Sequence, residues 1–136
     1  MTSIDLAQRL AAAGLTWEPA AGDRFVVPGR GMDDDAFVLS DMTVEIHDLP
    51  TGRIIGFNGT TEWALDSLEL DEVVWLPREA QLRELLGERF RRLEAVEGGF
   101  VVVVSDGLGT EQRHIDLDAE DAYARALLAT LELGSA

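Results

Sequence analysis

The chain has 136 residues, close to the ~150 of one compact domain, and a chain of this size can bury a core without covalent staples. Its 26 acidic and 11 basic residues leave a net charge of −15, and it has no cysteine, which excludes disulfides, thiolate nucleophiles, zinc–thiolate sites and iron–sulfur clusters. Nucleic acid and anionic membranes are bound through Lys and Arg that neutralise phosphate; a chain this acidic repels both, and proteins remain as the natural partners.

Along the chain, Ser3 is an N-cap, Leu6, Leu10 and Ala13 share a helical face, and Gly14 is a left-handed stop, so residues 4–13 read as a helix. Phe25 to Val27 is a short strand ended by Pro28. Gly29 to Asp35, Gly-rich and acidic without periodicity, reads as a loop. Phe37 to Leu39 and Thr43 to His47 are strand patterns, Asp48 to Gly52 a turn, and Arg53 to Phe57 the returning strand of a hairpin. Thr60 or Thr61 caps a helix expected over Glu62 to Leu68. Val73 to Trp75 is a strand, after which Pro77 takes a helix N1 position and Leu82, Leu85 and Leu86 form an inward stripe ending at Gly87. Three antiparallel strands follow: Arg91 to Val96, the apolar run Phe100 to Val104, and the polar Thr110 to Ile115, joined by turns at Glu97 to Gly99 and Asp106 to Gly109. Asp118 caps a closing helix carrying Tyr123, Ala126, Leu127 and Leu131 at helical spacing.

No repeat, low-complexity tract or long linker interrupts this order. The expected fold is α+β over residues 1–136: one domain, an antiparallel sheet of about six or seven strands with helices mainly on one face. No apolar run approaches the ~18 residues that cross a bilayer, and no basic leader precedes one, so the expected location is the cytoplasm and the Asn58-Gly59-Thr60 sequon carries no glycan. All eleven basic residues are Arg, a usage that fits GC-rich codons.

Two stretches, Gly22-Asp23-Arg24-Phe25-Val26-Val27-Pro28 through Asp33-Asp34-Asp35, and Pro50-Thr51-Gly52-Arg53 through Asn58-Gly59-Thr60-Thr61-Glu62-Trp63-Ala64-Leu65-Asp66 to Trp75-Leu76-Pro77-Arg78, resemble a set of small acidic actinobacterial proteins. Some of these carry the label "pilus assembly protein CpaE". The resemblance covers most of the chain and implies no catalytic signature. Proteins properly of that name resemble MinD-type ATPases, whose phosphate loop requires a lysine; this chain has none, so the resemblance implies no ATP chemistry and no functional residue is carried over. Asn58 to Leu65 is also similar to the strand-to-helix join of HicB-like antitoxins.

Hard cations take oxygen ligands, which makes Asp33, Asp34, Asp35 and Glu45 the candidate metal ligands, with Asp41 and Asp48 nearby in sequence. Set against this, the run lacks the spaced Asp-x-Asp-x-Asp-Gly order of a calcium loop and equally fits a solvated acidic loop. His47 and His114 fall on the polar sides of strands, where an imidazole beside Asp48 or Asp116 would titrate as a general base; exposed strand histidines account for them as well. Gly107-Leu108-Gly109 lacks the third glycine and the following helix of a dinucleotide site and reads as a hairpin. Arg78 to Arg92 holds five arginines and three glutamates, a solvated helix face with pairs such as Glu79–Arg83, or a docking strip if Arg89, Arg91 and Arg92 face outward. Trp17, Trp63 and Trp75 sit at element boundaries; as core they pack, and when exposed they anchor partners.

These residues suggest a protein that binds another protein or a second copy of itself. The candidate contacts are Trp17, Trp63, Arg89, Arg91 and Arg92, with no catalytic residue and no cofactor. The competing readings are a divalent-metal enzyme or small-ligand protein using the acidic residues, and an antitoxin or immunity accessory whose acidic face mimics nucleic acid.

Overall fold

The computed structural model of the protein describes residues 1–28, 32–39, 44–49, 52–57, 67–69 and 73–134, with the backbone alone for 32–35, 44–49, 52–57, 67–69 and 134. In chain order the elements are α1 (Ile4–Ala12), β1 (Arg24–Val27), β2 (Met32–Val38), β3 (Val44–Leu49), β4 (Gly52–Phe57), β5 (Ser67–Glu69), β6 (Val74–Leu76), α2 (Glu79–Leu86), a 3-10 turn over Gly87–Arg89, β7 (Phe90–Val96), β8 (Gly99–Ser105), β9 (Glu111–Asp116) and α3 (Ala119–Gly134). The α+β class holds. The single sheet of about six or seven strands does not: the described strands form three separate three-stranded antiparallel sheets, ordered β2-β1-β6, β3-β4-β5 and β7-β8-β9. In each, the middle strand has both edges taken by its neighbours, and no strand is shared between sheets.

Three further expectations are corrected. The acidic run Asp33 to Asp35 lies in β2, not in a loop, because the chain there pairs with β1, Val27 opposite Met32 and Phe25 opposite Phe37. Ser67 and Leu68, expected at the end of a helix, lie in β5, paired with Gly56 and Ile55 of β4; the rest of that helix, with Trp63 and its capping threonines, lies outside the described residues. Similarly, Asp48 and Leu49, read as turn, extend β3 to a register that ends with Leu49 opposite Gly52.

By contact the chain divides into two compact units, one of Met1–Thr16 with Pro77–Ala136, the other of Trp17–Leu76. In the first, α1 starts where Ser3 Oγ accepts from the Leu6 N–H at 3.2 Å. It stops in a Schellman motif: Gly14, at φ +107°, lets Leu15 N–H reach Leu10 O at 3.0 Å while Gly14 N–H donates to Ala11 O. Leu6 and Leu10 from α1, Leu82 and Leu86 from α2, Val102 and Val104 from β8, and Ala122, Tyr123, Ala124, Ala126, Leu127 and Leu128 from α3 form one core on one face of the β7-β8-β9 sheet. Each such aliphatic side chain removed from water contributes about 1.5–3 kcal/mol. The starts of the helices are tied together: buried Thr2 donates to Pro77 O at 2.9 Å, Ser3 N–H to Asp121 Oδ1 at 2.6 Å, and Glu79 N–H to Glu120 Oε2 at 2.9 Å. Pro77 therefore stands two residues before the first residue of α2 rather than at N1, with Arg78 as the N-cap.

In the second unit, β1 carries Phe25 between Phe37 on β2 and Trp75 on β6. Phe25 and Phe37 stack at 5.5 Å, and Trp17 lies 5.7 Å from Phe25 and stacks on Trp75 at 6.4 Å. Aromatic pairs at such separations add about 0.5–1.5 kcal/mol beyond area burial.

Candidate functional site

The β7-β8-β9 sheet has two ends of different character. At β7 the ladder is irregular, with a register shift between Phe90 and Arg92, and the exposed Arg89, Arg91 and Arg92 cluster there. Bulges and charges at a sheet margin are devices that discourage further strand pairing. At β9 the ladder with β8 runs without a shift from Glu111 to Asp116, and β9 pairs with no second strand among the described residues.

The direction of the β9 backbone groups follows from one bond. Asp106 N–H donates to Thr110 O at 2.9 Å, which makes 106 and 110 a hydrogen-bonded pair. In an antiparallel ladder such pairs alternate with non-bonded ones. The pairs Val104–Gln112, Val102–His114 and Phe100–Asp116 are therefore the bonded ones, and the N–H and C=O groups of Glu111, Arg113 and Ile115 point away from β8.

Side chains alternate with the pleat. Glu111, Arg113 and Ile115 are exposed, whereas Gln112, His114 and Asp116 are half-buried. On the outer face, Arg92 bonds Glu94 at 2.7 Å and Glu111 at 3.0 Å, and Arg113 reaches Glu94 at 3.0 Å. These pairs tie β7 to β9 across β8, whose Val101 and Val103 are buried between them. Because the partners are largely exposed, the pairs contribute little stability. Beyond them Ile115, 62% exposed, and Leu117, 81% exposed, form a short apolar strip.

On the inner side, a groove of about 420 Å³ runs between β9 and the last turns of α3, lined by Gln112, His114, Ala129, Glu132 and Leu133. A neighbouring hollow of about 230 Å³ extends it past His114 to Leu6, Arg9, Arg125 and Leu128. His114 Nε2 is buried and makes no hydrogen bond, and burial holds the imidazole pKa below its ordinary value. The reading of His114 as an exposed strand histidine is corrected, since the side chain is half-buried; the Asp116 carboxylate, two residues on, accepts from Arg125 Nε at 2.7 Å and from Asp118 N–H at 3.3 Å. Those bonds hold Asp116 ionised, lowering its pKa against the burial that would raise it.

A pH prediction arises here. An unfolded imidazole takes up its proton near pH 6.5 and the folded one only at lower pH, so between those values the unfolded chain binds more protons. The His114 contribution to stability is complete above pH 6.5 and falls away as pH drops through the folded value. Urea midpoints of the native chain should decline between pH 7.5 and 5.5, and the decline should be shallower in His114→Gln; equal slopes would refute it.

Of the other sequence candidates, Arg89, Arg91 and Arg92 do gather at one place, though Arg92 is spent on Glu94 and Glu111 and Arg91 Nη1 donates to Glu88 O at 2.8 Å. Trp17 is half-buried in the aromatic stack, its indole N–H on Asp23 at 2.9 Å. Asp33, Asp34 and Asp35 in β2 and Glu45 in β3 belong to different sheets, and their side chains lie outside the described residues. Among the described residues no three His, Asp or Glu side chains gather as an ion would require, and no helix is long and apolar enough to cross a membrane. The sequence marks Thr110 to Ile115 as a polar strand but not that Ile115 and Leu117 are outward, nor that Arg9, Arg125 and Glu132 border the same groove. No protein-family model matches the chain, and no curated protein or solved structure matches it.

Proposed function

We propose that the protein is a protein-binding module that adds an extended segment of its partner to the edge of β9 that faces away from β8. The observation that carries this reading is the regular edge of β9, which pairs with no second strand among the described residues, with the main-chain groups of Glu111, Arg113 and Ile115 directed away from β8 and a groove alongside. In strand addition the main-chain bonds provide affinity and pockets for alternate side chains provide specificity. Every second side chain of an added strand would fall toward the groove bordered by His114, Ala129 and Leu133, and the others beside Ile115 on the outer face.

A proline at 115 tests this, because its missing N–H is one that points away from β8, and proline is tolerated on a strand edge in that setting. A panel of short extended peptides titrated into the full chain and followed by amide chemical shifts should perturb Glu111, Arg113 and Ile115. Ile115→Pro should lose that binding while keeping its helical circular dichroism, and Ile115→Thr should retain it. Peptides that shift residues elsewhere, or bind Ile115→Pro unchanged, would overturn the reading.

A further inference from the structure

We infer that the segment received at this edge is β9 of a second copy, giving a two-fold dimer with one continuous six-stranded sheet; this rests on the reading of β9 as a strand-addition site. Charge selects the partner. The chain as a whole carries −15, so copies repel wherever that charge is expressed, and a basic partner would be drawn to the most anionic surface instead. Around β9 the charge cancels: Glu111, Asp116 and Glu132 stand with Arg113, Arg9 and Arg125, and the half-buried imidazole of His114 is held toward its neutral form. At physiological salt, charges farther away than about 8 Å are largely screened, so a locally neutral edge is where two such acidic chains can meet.

Register follows from the backbone. Symmetric antiparallel pairing must bring the outward groups of Glu111, Arg113 and Ile115 against the same groups of the mate. Centring the pair on Arg113 sets two guanidinium groups opposite each other, which is unfavourable. Centring it on Glu111 or Asp116 fails because those residues end the strand. Centring on Gln112 or Ile115 overlaps only a short part of it. Centring on His114 pairs residues 112 to 116, sets Arg113 against Ile115 and Gln112 against Asp116 of the mate, and opposes no like charges. The helical layers of both copies then lie on one side of the sheet.

The absence of cysteine makes the test clean. His114→Cys places one thiol on the two-fold axis at a non-hydrogen-bonded pair, where Cβ atoms lie about 4.5–5.5 Å apart, within reach of a disulfide after a small adjustment. Mild oxidation should give a covalent dimer, whereas Arg89→Cys, which leaves β9 intact, should gain no covalent cross-link between the paired copies. Sedimentation of the full native chain should show the mass doubling with concentration, Ile115→Thr should follow it, and Ile115→Pro should not. A native chain that stays monomeric while peptides still perturb Arg113 and Ile115 would overturn the self-pairing and leave strand addition standing. A dimer that forms equally in Ile115→Pro would overturn the β9 interface, and a monomer that binds no peptide would overturn both readings.

Discussion

Tyr123→Ala should cost about 3–5 kcal/mol, the range for truncating a buried aromatic ring, and should lower the thermal midpoint of the native chain by tens of degrees or abolish folding. Tyr123 is fully buried at the centre of α3. Its ring lies 5.6 Å from Phe90, and its hydroxyl accepts from Arg83 Nη2 at 2.7 Å and Nε at 3.2 Å. Arg83 also sits 4.8 Å over the Phe90 ring and pairs with Glu79 at 3.7 Å, so one side chain of α2 joins α3 to β7. Tyr123→Phe separates packing from polarity. Because the Arg83 side chain is about half exposed, its head can turn to water when the hydroxyl is removed, and the loss should be only about 1 kcal/mol. Equal losses in the two variants would show that the hydrogen bond, and not the ring, holds the layer together. Tyr123 is the sole tyrosine, so its ionisation can be followed by absorbance. Burial raises its pKa above the usual 10.0 more than Arg83 lowers it. The unfolded phenol loses its proton first, so the stability it contributes is complete below pH 10 and declines as pH rises through the folded value.

The parts of this architecture that were legible in the sequence are those written in local chemistry. Ser3 and Gly14 bound α1, Gly87 ends α2, Asp118 accepts from Asp121 N–H at 3.1 Å to start α3, and the Glu79–Arg83 pair forms at the expected spacing. The β7-β8-β9 meander announced itself through glycine turns, where Gly98 takes φ +83° and a side chain on Gly99 would strike the backbone of Asp116. What could not be read locally is pairing at a distance. Asp33 to Asp35 have poor strand propensity and become strand only because β1 provides a partner. The start of α2 has no Ser, Thr, Asp or Asn at its N-cap; instead Arg78 N–H is met by Gln81 Oε1 at 2.9 Å, and Glu79 N–H by Glu120 from another helix. The candidate site shows the same division. A polar strand over Thr110 to Ile115 is visible in the sequence, but which strands pair with its edge depends on contacts far along the chain, and the groove depends on where α3 lands.

Asp23→Ala should weaken the Trp17–Leu76 unit by about 2 kcal/mol, since it removes one acceptor shared by two part-buried donors and each such bond contributes about 0.5–1.5 kcal/mol net. Only 2% of Asp23 is exposed. Its Oδ2 accepts from Trp17 Nε1 at 2.9 Å and from Ala20 N–H at 3.0 Å, and its own backbone binds Ala20 O and Leu39 N–H. One carboxylate thus closes the turn before β1, carries the indole that stacks on Trp75, and aligns the segment that meets Leu39 at the end of β2. Asp23→Asn retains one acceptor oxygen in the same shape and should lose about half as much, with its amide nitrogen turned away from the two donors. The stacked Trp17–Trp75 pair gives a local readout: near-ultraviolet circular dichroism from the indoles should collapse in Asp23→Ala under conditions where the helical signal of α1, α2 and α3, which among the described residues all belong to the other unit, persists. Retention of the indole signal would show that ring packing alone fixes Trp17. Loss of both signals together would show that the aromatic stack and the helical core unfold as one cooperative body.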